Sequence, residues 1–129
     1  MMDSKNIPRV LYVEDEKDLR EPISQMLEIL GYEVDCAING AEGVEKAESW
    51  QPDFILMDIR MPKVDGFEAT RRLRSNPITQ KIPIFMLSAY DDAKTRASCR
   101  EVGADGFLAK PADIEKIDAT IRRTLGMVG

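Results

Sequence analysis

A chain of 129 residues, 43% hydrophobic and 32% charged, has the size and composition of one globular domain with its own core. Its formal net charge of −5 argues against direct nucleic-acid binding through a broad basic face, and the absence of histidine removes imidazole base chemistry, the commonest zinc ligand and any phosphohistidine on this chain. No apolar run is long enough to span a bilayer and the N-terminus lacks the layout of a signal peptide, so a cytoplasmic protein with reduced Cys36 and Cys99 is expected.

In chain order, residues 1–8 read as a polar lead-in. Arg9–Val13 reads as a strand that runs into Glu14-Asp15-Glu16. Asp18 and Glu21 have the spacing of a capping box, which puts Pro22 in the first turn of a helix whose apolar stripe is Leu19, Ile23, Met26, Leu27 and Leu30. Gly31 ends it. Glu33–Ala37 is a weaker strand. Residues 41–49 form a helix with Val44 and Ala47 inward, though Gly43 sits inside it. Phe54–Asp58 is short, continuous and apolar, the pattern of a fully buried strand, and it ends abruptly in a carboxylate, with Pro62 and Gly66 beyond. Asp65-Gly66 opens a helix to about Arg74, with Phe67, Thr70 and Leu73 on one side and Arg71, Arg72 and Arg74 on a face read as solvated. Asn76-Pro77 breaks it. Residues 83–88 form another buried strand, ending in Ser88. A polar helix over 92–102 stops at Gly103. Gly106–Ala109 is the last strand, followed by Lys110-Pro111, and Asp113 caps a helix with the stripe Ile114, Ile117, Ile121 and Leu125.

Five strands alternating with five helices imply an α/β fold: a doubly wound five-stranded parallel sheet, order 2-1-3-4-5, with helices on both faces. Residues 1–129 are expected to form a single domain with no output domain. In this layout Glu14-Asp15, Asp58, Ser88 and Lys110 all lie at the carboxyl ends of strands, where such folds bind ligands. Taken singly, each has a plainer reading. The acids can favour a helix dipole, Asp58 can start a loop, Ser88 can cap a helix, and Lys110 can be an exposed lysine. Their joint placement is what argues for a site. Three carboxylates in contact range repel one another, and oxygen-only ligands favour Mg²⁺, with Mn²⁺ also possible. A carboxylate flanked by a cation, an ammonium and a hydroxyl suits phosphoryl transfer, with Asp58 as nucleophile.

These residues carry a resemblance. With Glu14-Asp15, Asp58 followed by Pro62 and Gly66, Ser88-Ala89, Gly103-Ala104-Asp105 and Lys110-Pro111, the sequence resembles the receiver domain of two-component response regulators, a flavodoxin-like fold, over essentially its whole length. The resemblance implies that Asp58 accepts a phosphoryl group from a phosphohistidine on a sensor histidine kinase or histidine phosphotransfer protein. It implies that Asp15, Asp58 and the backbone carbonyl of Arg60 hold Mg²⁺, Glu14 largely through water. Ser88 and Lys110 would bind the phosphoryl group, the Lys110–Pro111 peptide would be cis, and Phe107 would move with Ser88. Arg60 and Tyr90 would tune hydrolysis, so the protein is a self-modifying phosphoacceptor with autophosphatase activity and not a turnover enzyme. A downstream protein would read the face formed by the fourth helix, fifth strand and fifth helix, the chain being a monomer or a phosphorylation-dependent dimer. Two positions depart from the family pattern: Phe107 stands where many members have tyrosine, and Ala112 where phenylalanine is common.

Other readings remain beside this one. An aspartyl-phosphate phosphohydrolase usually carries a second acid two residues after its nucleophile, where this chain has Arg60. An interaction domain that no longer switches is opposed by the presence of Asp15, Asp58, Ser88 and Lys110. The chain can also be a receiver excised from a longer response regulator.

Overall fold

The computed structural model describes residues 7–127; residues 1–6 of the expected lead-in lie outside them. The elements are β1 (Arg9–Val13), α1 (Lys17–Ile29), β2 (Glu33–Ala37), α2 (Gly40–Trp50), β3 (Phe54–Asp58), α3 (Gly66–Arg74), β4 (Ile84–Ser88), α4 (Ala93–Val102), β5 (Gly106–Ala109) and α5 (Ile114–Leu125). All strand pairs are parallel, in the order β2-β1-β3-β4-β5, as the alternation predicts.

Helices cover both sheet faces, which is why the central strands read as unbroken apolar runs. Leu11, Val13, Ile55, Met57, Ile84 and Met86 pack with α2, α3 and α4. Val10, Tyr12, Phe54, Leu56, Leu87 and Leu108 pack with Leu27 of α1 and Ile117 and Ile121 of α5. A one-residue slip would exchange the two sets. With about 1.5–3 kcal/mol at stake for each large buried side chain, the register is well specified. From β1 the chain crosses to β2, and from β3 it crosses to β4, on opposite sides. The carboxyl ends of β1 and β3 therefore flank the crevice of the switch point.

Four helices start as expected of acidic or amide caps: the side chains of Asn39, Asp65, Asp92 and Asp113 accept the backbone N–H of Glu42, Glu68, Thr95 and Lys116. α1 departs from the expectation. Its cap position is Glu16, with no side-chain cap bond, and the Glu16 carbonyl already accepts from Leu19 and Arg20. Asp18 is thus inside the first turn and Pro22 in the second. The expected α1 stripe is only partly covered: Leu27 is buried, whereas Leu19, Met26 and Leu30 are exposed. Gly43 does not interrupt α2, because its missing side chain makes room for Val13, whose Cγ2 would lie 2.9 Å from a Cβ there.

The arginines of α3 are also not one solvated face. Arg71 and Arg72 pair with Glu68, but Arg74 turns inward, donating to the carbonyls of Gly103 and Ile82 at 2.8 Å each and pairing with Asp105 at 2.8 Å. Asp105 in turn accepts the Ile84 N–H, so one side chain fixes the start of β4 beside the start of β5.

The N-terminus of α3 presses on the end of β3. A Cβ on Gly66 would lie 2.3 Å from the Asp58 carbonyl oxygen, and the Gly66 N–H donates to Ile59 at 2.8 Å. Gly66→Ala is expected to lower stability by about 1–3 kcal/mol through overpacking against backbone that cannot yield, measured by urea denaturation. Unchanged stability would show that α3 can move away.

Candidate functional site

The pairing of Val13 with Met57 continues to place Glu14 beside Asp58 as the chain leaves the sheet. Strand period two puts Glu14 on the face of Tyr12, Asp58 on that of Leu56 and Lys110 on that of Leu108, all the α1/α5 face. There they meet. Lys110 Nζ lies 2.9 Å from Asp58 Oδ1 and 3.1 Å from Glu14 Oε1, and the two carboxylate side chains are 5% and 0% exposed. Tyr12 O–H donates to Glu14 Oε1 at 3.3 Å, and the Glu16 N–H donates to Glu14 Oε2 at 3.3 Å. Arg20 braces the same turn, donating to the carbonyls of Glu14 and Asp15 at 2.9 and 3.2 Å.

Charge follows from this burial. Desolvation, and then the neighbouring Asp58 charge, push the Glu14 carboxyl up to about 7 against the pull of Lys110. Burial pulls the Lys110 ammonium down, but hydrogen bonding and attraction to Asp58 and Glu14 outweigh it and leave its pKa above the ordinary lysine value. Burial, reinforced by Glu14, raises the Tyr12 phenol, so it stays a donor.

Ser88 is buried at the end of β4; its hydroxyl accepts the Tyr90 N–H at 2.9 Å, and its carbonyl accepts the Lys110 N–H at 2.7 Å. The Lys110–Pro111 peptide is cis. Arg60 and Tyr90 are both exposed and meet each other, the guanidinium 4.6 Å from the ring centroid. Phe107 is half-buried on the α4 side of the sheet, with the Arg96 guanidinium 5.7 Å from its ring.

The carboxylates of Glu14, Asp15 and Glu16 can bring one oxygen each within 4.8 Å of one another. Glu14 is buried, Asp15 intermediate and Glu16 exposed, and an all-oxygen set of this kind suits a hard divalent cation. The structure therefore joins Glu14, Asp58 and Lys110 by direct contact, sets Ser88 beside them through the Lys110 backbone, and gathers Asp15 with its two neighbours.

Tyr12, Glu16, Arg20 and Arg96 escaped the sequence reading. Tyr12 was accessible in principle, since it precedes Glu14 by two residues and so shares its face. Arg20 was not, because its reach back over the turn depends on where α1 begins.

The family model for the response regulator receiver domain matches residues 10–122. Among curated relatives, the DNA-binding dual master transcriptional regulator RpaA of Synechocystis is 38% identical over 119 residues, 92% of this chain and 49% of that protein. Response regulator MprA of Mycobacterium ulcerans is 37% identical over 117 residues, 91% of this chain and 50% of that protein. The chain spans about half the length of these curated relatives. Among solved structures, the chemotaxis protein CheY4 of Vibrio cholerae superposes with a TM-score of 0.87 at 33% identity, covering 91% of this chain and 98% of that one. The receiver domain of sensor histidine kinase PA1611 from Pseudomonas aeruginosa, with a magnesium ion coordinated in its active-site cleft, superposes with a TM-score of 0.87 at 34% identity, covering 93% and 98%. The crevice at the strand ends and these matches agree: the chain belongs to the receiver-domain family of two-component response regulators.

Proposed function

We propose that Asp58 is the phosphoacceptor, charged by a phosphohistidine on a sensor histidine kinase or a histidine phosphotransfer protein, and that the receiver domain itself is the unit that switches. The observation that carries this reading is the Lys110 ammonium 2.9 Å from Asp58 Oδ1 at the switch point of the sheet. In the transfer the phosphorus–nitrogen bond to the donor imidazole breaks, its electron pair staying on nitrogen, while a phosphorus–oxygen bond forms to Asp58. Lys110 screens the attacking carboxylate and then pairs with a phosphoryl oxygen. Ser88 already accepts the Tyr90 N–H, so its own O–H is left to donate to the phosphoryl group. Asp15, Asp58 and the Arg60 backbone carbonyl would hold Mg²⁺ or Mn²⁺, Glu14 through water and Glu16 close by. When bound, the ion supplies neutralising charge for the phosphoryl oxygens.

A cavity of about 310 Å³ lined by Tyr12, Leu19, Ile23, Ala112 and Lys110 adjoins the site and supports docking of the phosphodonor across α1 and the turn after β5. The stacked Arg60 and Tyr90 side chains tune water access and so the autophosphatase rate. The output is read on the α4–β5–α5 face by a downstream protein in the cytoplasm, by the monomer or by a dimer formed on phosphorylation. The phosphohydrolase alternative is not favoured, since the family match is to receivers and Arg60 occupies the position of the second acid.

Incubation with acetyl phosphate and Mg²⁺ is expected to add one phosphoryl group by intact mass, and Asp58→Ala or omission of the metal to abolish it; Asp15→Asn is expected to weaken Mg²⁺ binding sharply. An adduct that survives Asp58→Ala would move the acceptor elsewhere. Once the adduct forms, replacing Arg60 and Tyr90 together by alanine is expected to shorten its lifetime at least about threefold, the scale of an exposed cation–π contact, followed by loss of the adduct over time. An unchanged lifetime would remove the pair from this role.

A third outcome concerns pH. In the folded, metal-free protein Glu14 keeps its proton up to about 7, while the unfolded chain loses it near the ordinary glutamate value of 4.5. The folded state then binds more protons across that window, so this group's contribution to stability is full below it and is lost as pH rises through it. In EDTA, urea denaturation is expected to show stability falling from pH 4.5 to pH 7 by an amount on the order of 2 kcal/mol more than in Glu14→Gln. Equal slopes would place the titration on other groups.

A further inference from the structure

Arg96, in the first turn of α4, makes two contacts that the phosphorylation chemistry does not use. Its Nε and Nη2 lie 2.7 and 2.6 Å from Asp91 Oδ1, in the loop after β4. Its guanidinium also lies 5.7 Å from the centre of the Phe107 ring on β5. Asp91 directly follows Tyr90, whose N–H is bonded to the Ser88 hydroxyl. One side chain therefore ties the loop that carries Ser88 to the aromatic ring on the neighbouring strand.

The two contacts are unequal. A charge-assisted hydrogen bond from Nε, with Nη2 in ion-pair contact with the same carboxylate oxygen, forms a short, directional grip. A guanidinium 5.7 Å from a ring centre is close to the outer limit of a useful cation–π contact, about 6 Å. Phe107 has no hydroxyl, so no hydrogen bond of its own fixes the ring. Beside the ring lies a cavity of about 390 Å³ whose walls include Arg96, Cys99, Arg100, Gly106 and Phe107 itself, which gives it room to turn. If the loop is drawn toward Asp58 as Ser88 engages a phosphoryl oxygen, the guanidinium follows Asp91 and leaves the ring.

We propose that Arg96 is a latch: a positioning residue whose guanidinium, shared between Asp91 and Phe107, holds the β4–α4 loop and the ring in the resting arrangement until phosphorylation pulls them apart. The inference rests on Asp58 being the acceptor and Ser88 its partner. A latch on the resting state slows phosphorylation by any donor, because the arrangement that accepts the phosphoryl group is populated less.

The test is the rate of uptake from acetyl phosphate in Mg²⁺, read by intact mass, for wild type, Arg96→Ala, Phe107→Leu and the double variant, with circular dichroism confirming that each is folded. Arg96→Ala is expected to raise the rate about threefold, on the scale of the contacts it removes. In the Phe107→Leu background it is expected to add less than half of that effect, and Arg96→Lys to fall between wild type and Arg96→Ala. A rate unchanged by Arg96→Ala, or effects of Arg96 and Phe107 that simply multiply, overturns the latch. If wild type phosphorylates on Asp58 in that case, the acceptor assignment stands. If wild type takes up no phosphoryl group on Asp58, both fall together.

Discussion

One ammonium group held between two buried carboxylates is the contact on which the rest of the molecule depends. Glu14 and Lys110 are separated by 96 positions, and Asp58 lies between them in sequence. The parallel sheet places β1 and β3 side by side and ends β5 at the same edge, which brings them within hydrogen-bond distance. The arrangement is costly to break, since removing one member of such a group leaves buried charge uncompensated. It is also unbalanced: two carboxylates share one positive charge, and Asp15 and Glu16 stand alongside. A cluster of carboxylate oxygens of that kind suits a hard divalent cation.

The fold was legible because its signals are local. Apolar runs that end in polar residues marked the strands, and Asp65, Asp92 and Asp113 marked helix starts by the one property that makes a good cap, a short side-chain acceptor. The site was legible for a related reason, since side chains at equivalent strand ends must converge in a parallel sheet. What escaped were features set by tertiary contact. The start of α1 is fixed by hydrogen bonds to the Glu16 carbonyl and not by the acids of its first turn, so the spacing of Asp18 and Glu21 misled. Gly43 reads as a weak point in its helix until Val13 is seen against it. Arg74 reads as a surface charge until the carbonyls of Gly103 and Ile82 are placed within its reach. Long side chains such as Arg20, Arg74 and Arg96 find partners that sequence spacing does not announce.

The departures from the family pattern fall at the edges of the crevice. Ala112 leaves part of the α1 side open as an apolar hollow, and Phe107 keeps the bulk of an aromatic ring without a polar tip. Neither supplies a hydrogen bond or an ion pair to the group formed by Glu14, Asp58 and Lys110. The chemistry and its surroundings are therefore separable: the first is set by strand ends in the sheet, the second by residues on helices and loops that can vary without disturbing it.

The close approach of Gly66 to the Asp58 carbonyl gives the crevice a fixed floor. The backbone on the far side of Asp58 is already in contact with α3, so the end of β3 has little room to retreat toward that helix. The opposite rim, with Tyr90 and Asp91 exposed, lacks packing of that kind, so the two sides of the crevice differ in how tightly their backbone is confined.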